Sequence, residues 1–541
     1  MNDKSTGRKA AGATWVRVAM VAALVGVALA SAIPASAQSP KRRVFVNARD
    51  AAHKQALKAI ISARDLRHEF ISPGNELIFS AELTRGQIEA VKRLGGRVEA
   101  VPRVYPLTQR QRYGALQKRA TPLGKPVCGD GVCQGNESKT CPADCGEPPP
   151  PEPPPGRECA PQDQREYQTL LLSGSSAGGW GVKLLVVDTG VNKDHADLDV
   201  SFCRNVTRRK VKNNCKDDVG HGTHTSGSAA ANGGLDGLGL FGAAPGATLG
   251  MEKVCTNLCW LDDLARGIED GTQNFHPQVM TISIGGPDHS ALKNAIDAAV
   301  AAGTLIFSSS GNSGPGANTI SYPAAYPNVV AVGMLDAVRI ANRMSSRGIV
   351  DDTDSTISAR ELELTGGGFV IESTSFDGCY EIMSGTSMSS PSVAGFAAAN
   401  WQGFTTRSHL QNVAQDINNS AILPGYDDTV PGFDTSTGYG LPRNGRENGS
   451  ISASVNAVQA LVPAGQTVNI VVSGPVNSNF RIGVTSPAGD WTFGEFTTDG
   501  SGNSALTLTP WTDPGTWLLT VDFGGGATDF GAAYDTFQQT N

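Results

Sequence analysis

The stretch VKLLVVDTG, residues 182–190, is an apolar, strand-forming run that stops at Asp188 and a glycine turn. A strand apolar on both faces belongs inside a parallel sheet, the sheet type that helices cover on both sides. Further along, HGTHTSGSAAAN (221–232) reads as a small-residue helix and PQVMTISIGG (277–286) as a second buried strand. ALKNAIDAAVAAG (291–303) has helical periodicity, and TLIFSSSGN (304–312) and NVVAVGML (328–335) supply two more strands. Apolar strands alternating with helices define an α/β fold class with a parallel sheet, spanning residues 159–446.

The flanks have other periods. From residue 449 to 541 the signals are TVNIVVSG, FRIGVTSPAG, SALTLTP and GTWLLTVDFG, short strands between glycine and proline turns, which predict an all-β sandwich. Before the α/β pattern, residues 38–107 predict a small α+β unit. RRVFVNA, ELIFSAEL and GRVEAVPRVY read as strands, and DAAHKQALKAIIS and TRGQIEAVKRLG as helices, the second opened by the capping-box spacing of Thr84 and Gln87. Residues 108–127 are polar and basic, an exposed connector. Residues 128–146 hold Cys128, Cys133, Cys141 and Cys145, too short a piece to build a core, so cross-links or a metal must hold it. Residues 147–158 form a proline-rich polyproline II spacer.

The first 37 residues have a basic start, an apolar run and the string ASAQ, which predict a signal peptide cut after Ala37. Export, to the extracellular space or a periplasm, makes disulfides the expected state of the ten cysteines and favours two disulfides over zinc in 128–146. No later run is long and apolar enough for a transmembrane anchor. The whole chain carries a net charge of −7, yet residues 41–119 contain 17 basic and 7 acidic residues. A basic segment joined to an acidic body is expected to serve that body as an internal partner, and the acidic bulk argues against nucleic acid as a target.

Chemistry concentrates in three separated loops. Asp188 ends a buried strand, where open α/β sheets build their sites. VGHGTHTSG (219–227) holds His221 at a helix start, and MSGTSMSSPSVAGFAAA (383–399) holds Ser387 in a glycine/serine turn before a helix. Alone, each could be an ordinary strand end, helix start or cap, and His221 with His224 has a spacing that two metal ligands could use.

In this order the three motifs resemble the subtilisin family of serine proteases, over roughly residues 159–446. The resemblance implies that Ser387 is the nucleophile, His221 the general base and Asp188 the residue orienting the imidazole. It also implies that Asn312 donates to an oxyanion, that His224 is structural, and that Ser283, Ile284 and Gly285 form an edge against which a substrate peptide pairs. It implies protein or peptide substrates, with no cofactor required for the chemistry, and it associates Asp197 with a structural calcium ion. Residues 38–107 resemble the inhibitor-like propeptide of such enzymes, which implies self-cleavage near Leu107, with other sites offered by the basic connector up to Arg119. The expectation is a secreted serine endopeptidase, working through an acyl-enzyme and made as an autoprocessed zymogen. Its rivals are a non-catalytic adhesin on a protease scaffold and a metallohydrolase using His221 and His224. No acidic residue stands in ANTISYP (317–323), which lines the first specificity pocket by resemblance, so bulky apolar or uncharged residues are expected before the cut.

Overall fold

The computed structural model of the protein describes residues 40–107, 116–118, 159–172, 178–350, 357–401, 407–418, 429–443, 454–459, 461–463, 466–487, 491–508, 514–524 and 530–540. The expected signal peptide, four-cysteine piece and proline spacer lie outside these residues. The chain divides into two compact units, one ending at Pro102 and one beginning at Arg103.

The first unit is a four-stranded antiparallel sheet in the order Leu66–Glu69, Ile78–Leu83, Arg42–Asn47, Arg97–Ala100. Helices Ala51–Ala59 and Arg85–Arg93 accompany it, and Val46, Leu57, Phe79, Leu83 and Val91 form its core. Thr84 and Gln87 make the reciprocal capping box. Leu66–Glu69 has no signature in the sequence, because LRHE shows no apolar alternation. The pattern GRVEAVPRVY predicts one continuous strand. The structure breaks that strand at Val101–Pro102, since proline lacks the N–H a ladder needs, and Arg103–Pro106 forms a separate strand in the second unit.

The centre of the second unit is a seven-stranded parallel sheet. Its order is Leu364–Gly367, Val330–Leu335, Leu305–Ser309, Val279–Ile282, Lys183–Asp188, Thr248–Lys253, Val200–Asn205. Helices His221–Ala230 and Thr386–Ala399 pack on each other, as do Leu261–Asn274 and Ser290–Ala301. The central strands are buried along their length, as their unbroken apolar runs require. The chain adds strands on one side of Lys183–Asp188 and then crosses to the other side at Val279–Ile282. Between two such strands the connecting loops part and leave a crevice at their carboxyl ends. Asp188 and Ser283 border it. Disulfides Cys159–Cys379, Cys203–Cys215 and Cys255–Cys259 tie this part of the chain. The second and third join cysteines close in sequence; the first spans 220 positions and has no local signal.

The carboxyl-terminal strands form two facing sheets around Ile470, Ile482, Leu506, Trp517, Leu519 and Phe523. Within the predicted exposed connector, Leu116–Lys118 instead adds an edge strand beside Asn503–Leu508, a long-range pairing that composition does not reveal. The sandwich lies in the same compact unit as the parallel sheet. Arg481, 2% exposed, donates from Nη1 to Glu166 at 2.5 Å, from Nη2 to Glu372 at 2.9 Å and from Nε to Gln162 at 2.8 Å.

Candidate active site

Asp188 is the last residue of its strand and fully buried. The Thr189 N–H donates to its Oδ1 at 2.7 Å and the Thr225 hydroxyl to its Oδ2 at 3.3 Å. The same Oδ1 lies 2.7 Å from His221 Nδ1, which therefore carries the proton between them. His221 is the first residue of helix His221–Ala230, which approaches the strand loop so closely that a Cβ on Gly222 would stand 2.1 Å from the Gly190 carbonyl. The helix has no side-chain cap from Gly220, and Asp217 replaces it. The Asp217 carboxylate accepts from the N–H groups of Val219, Gly220 and Thr223 and from both Thr189 and Thr223 hydroxyls. Asp217 was not among the residues singled out from sequence, since it stands three residues before the cap position Gly220, where a local capping rule does not look.

His224 faces elsewhere. Its Nε2–H points at the carbonyls of Ile371 and Glu381, 3.0 and 3.1 Å away, and burial, aided by neighbouring His221, pushes its pKa down to about 3. The two histidines thus do not converge on a common point. Among the described residues no group of three or more His, Cys, Asp or Glu is placed to hold a metal ion. Asp197 Oδ2 accepts from the Leu240 N–H at 2.8 Å and the Tyr380 hydroxyl at 2.6 Å.

Ser387 is the second residue of helix Thr386–Ala399 rather than a turn residue before it, because Gly385, at φ 154°, turns the chain one step earlier. Its Oγ donates to the Ser283 carbonyl at 3.2 Å, and Ser283 Oγ donates to the Ser387 carbonyl at 2.9 Å. His221 Nε2 has no hydrogen-bond partner among the described residues. The structure therefore joins Asp188 to His221, and Ser387 to Ser283, but makes no hydrogen bond between His221 and Ser387.

Asn312 follows the strand Leu305–Ser309. Its Oδ1 accepts from both the N–H and the hydroxyl of Thr386, each at 3.0 Å, which turns Nδ2 outward as a donor. That Nδ2 donates to the carbonyl of Leu107 at 2.5 Å. Leu107 N–H donates to Ser283 O at 3.1 Å. Upstream, Arg103–Pro106 runs antiparallel between Cys259–Trp260 on one side and Ile284–Gly285 on the other, completing a three-stranded sheet. A Cβ on Gly285 would lie 2.7 Å from the Leu107 side chain, and one on Gly286 2.7 Å from Val104, so both glycines keep the edge open. Thr386 and the Cys259–Trp260 edge escaped the sequence reading. Their roles depend on partners 74 and more than 150 residues distant.

A crevice at the carboxyl ends of parallel strands, carrying a carboxylate–imidazole pair, a serine at a helix start and an extended peptide seated beside them, is the arrangement of an acyl-transfer hydrolase. A model described as the subtilase family matches residues 179–440. A subtilisin of Bacillus sp. (strain TA39) is 38% identical over 289 residues, 48% of this chain and 68% of that protein. Subtilisin DY of Bacillus licheniformis is 36% identical over 254 residues, 45% of this chain and 86% of that one. Among solved structures, the S41 psychrophilic protease is 35% identical, with 52% of this chain and 99% of that one covered and a TM-score of 0.47. The chain belongs to the subtilase family. Its activity is that of a subtilisin-like serine protease, a hydrolase acting on protein substrates. Among the described residues no helix is long and apolar enough to cross a membrane.

Proposed function

We propose that the protein is a secreted endopeptidase, made as a zymogen, in which Ser387, His221 and Asp188 act as one unit. A free hydroxyl is a weak nucleophile and needs a base within reach. His221 holds its Nδ1 proton against Asp188, which leaves Nε2 the basic nitrogen. In this reading the Ser387 hydroxyl leaves the Ser283 carbonyl and donates to Nε2. Such contacts commonly tighten only when a reacting substrate is in place. The imidazole then takes the hydroxyl proton as Oγ attacks the scissile carbonyl carbon and later returns it to the leaving amine, giving an acyl-enzyme that water hydrolyses.

The observation that supports this reading is the seat of Leu107. Its carbonyl oxygen accepts from Asn312 Nδ2, its N–H lies on Ser283 O, and the preceding residues pair with Ile284 and Gly285. That is how a residue just before a cleaved bond would be held. The reading makes residues 38–107 an inhibitory propeptide that leaves the enzyme after cleavage at Leu107, and the basic charge of this segment suits an acidic partner. The test is covalent. A fluorophosphonate probe is expected to label the active enzyme at Ser387, located by peptide mapping, with loss of casein hydrolysis in step with labelling. Hydrolysis that survives complete labelling, or is silenced only by chelators, would overturn the assignment.

Asn312 gives a second, graded test. Its Nδ2 is aimed where negative charge develops on the carbonyl oxygen, and it is held there by Thr386 in advance of the reaction. Asn312→Ala is expected to lower kcat by about a hundred- to a thousandfold with little change in KM, the size found in subtilisin itself. Thr386→Val, which removes one of the two donors that orient the amide, is expected to fall between this variant and the parent.

A further inference from the structure

The strand Arg103–Leu107 carries more than the residue at the cleavage position. Reading upstream from Leu107, Tyr105 is 62% exposed and Val104 only 1%, so the third residue points to solvent and the fourth is enclosed. At the fifth, the Arg103 guanidinium carbon stands 3.6 Å from the centroid of the Trp260 ring. Arg103 Nη1 is buried without a hydrogen-bond partner, and no carboxylate among the described residues pairs with this arginine. The indole face is what receives the cation.

Trp260 is placed for this. It and Arg103 are directly opposed partners in the antiparallel ladder, and opposed residues send their side chains off the same face of a sheet. The preceding residue, Cys259, is tied to Cys255 by a disulfide, with Cα atoms 4.6 Å apart. The following residue, Leu261, begins the helix Leu261–Asn274, whose first turn carries Asp262 and Asp263. The two-residue edge is thus anchored at both ends, and its ring has little freedom to move away. An aromatic face attracts a cation through its quadrupole, tryptophan most strongly, and a planar guanidinium also stacks on it.

We propose that Trp260 is a specificity-determining residue that selects polypeptide substrates with a cationic residue, arginine above lysine, at the fifth position on the amino side of the cleaved bond. This rests on the reading of Arg103–Leu107 as a strand bound in the manner of substrate. The ladder sets the register: once the residue before the cut is fixed by Ser283 and Asn312, the fifth residue has one place to go, opposite Trp260.

The experiment uses a peptide series that shares the sequence Val-Tyr-Pro-Leu before the cleaved bond and varies the preceding residue among arginine, lysine, citrulline, alanine and glutamate. Citrulline keeps the shape of arginine without its charge. For the active enzyme, kcat/KM for arginine is expected to exceed that for citrulline by about tenfold, equivalent to about 1.4 kcal/mol, with glutamate poorest. In Trp260→Leu the arginine-to-citrulline ratio is expected to fall to about one, and Trp260→Phe is expected to keep part of it. Each ratio is internal to one enzyme preparation, so folding yield does not enter. Equal rates for arginine and citrulline in the parent enzyme, or a ratio that persists in Trp260→Leu, would overturn the proposal while leaving cleavage after leucine intact. Absence of cleavage after leucine throughout the series would overturn the substrate-like reading of the strand, and the proposal with it.

Discussion

Ser387→Ala is expected to lower kcat on casein by about a millionfold, the loss that follows removal of the nucleophile in subtilisin. The size reflects an all-or-none dependence. Without Oγ no acyl-enzyme forms, and the carboxylate–imidazole pair of Asp188 and His221 has no proton to relay. The residual rate comes from binding and the oxyanion donors alone. The fold should scarcely respond. Ser387 Oγ makes one hydrogen bond, to Ser283 O at 3.2 Å, and a bond of that kind contributes about 1 kcal/mol. The variant should therefore melt close to the parent while remaining inactive, and it should accumulate as a precursor uncut after Leu107. Thermal unfolding, a casein assay and amino-terminal sequencing check the three parts together. An undiminished hydrolysis rate in a well-folded variant would sink the mechanism.

The second large effect is at Arg481, far from the nucleophile. This guanidinium enters from the sandwich and meets Glu166, Glu372, Asp163 and Glu495. Asp522, buried in the strand Gly515–Gly524, also acts on it. One cation thus faces five carboxyls. Burial, only partly offset by Arg481, pushes Glu372 and Asp522 up to about 7 and holds Asp163 and Glu166 above their ordinary range. Arg481 itself, which burial alone would weaken as a base, is held well above its ordinary value by Glu166 and the other carboxylates. Removing the cation leaves buried like charges facing one another. Arg481→Met is expected to cost about 3–5 kcal/mol at pH 8. Arg481→Lys should not restore it, since one ammonium cannot reach Gln162, Glu166 and Glu372 with the geometry of a fork.

The same cluster sets a pH dependence. A carboxyl whose pKa is higher in the fold than in the unfolded chain binds more protons folded than unfolded, so stability falls as pH rises between the two values. For Glu372 and Asp522 that window runs from 4.5 and 3.8 up to about 7. Their stabilising protonation is complete below the window and lost above it, at a cost on the order of a few kcal/mol per group. Asp522→Asn mimics the protonated form. It is expected to raise Tm at pH 8, by about 2–4 °C for each kcal/mol recovered, and to leave Tm at pH 4 nearly unchanged. A Tm that is flat from pH 4 to 8 in the parent would contradict this account. The strand carrying Glu372 reaches the active site: Ile371 O accepts from His224, Ser373 Oγ donates to the His224 carbonyl, and Thr374 Oγ1 donates to the Thr223 carbonyl. Loss of the ion cluster should therefore lower heat resistance of activity as well as of the fold.

Local pattern went far in this protein because its buried strands are apolar without interruption and its helices are built of small residues. VKLLVVDTG could hardly be other than an interior strand, and the alternation from residue 182 to 335 could hardly be other than α/β. Where the local signal was weak, the reading fell short. LRHE forms a strand with no apolar period, Leu116–Lys118 pairs inside a segment that reads as connector, and Pro102 cuts a strand that its neighbours would have continued. The same holds at the site. Asp188, His221, Ser387 and Asn312 could be nominated from three loops and a turn. Thr386 could not, because nothing in its neighbourhood says that it orients an amide 74 residues away.

The chain by itself determined the periods of its strands and helices, the sharp turns that end them and the chemical groups carried on those turns, since each of these is written in a few adjacent side chains. Tertiary structure alone decided that Cys159 meets Cys379, that Arg481 closes on carboxylates from both halves of its unit, that Ser387 rests on the Ser283 carbonyl, and that Trp260 lies opposite Arg103. These contacts join residues separated by about 100 to more than 300 positions. Their stability comes from burial and register, quantities that exist only once the chain has closed on itself.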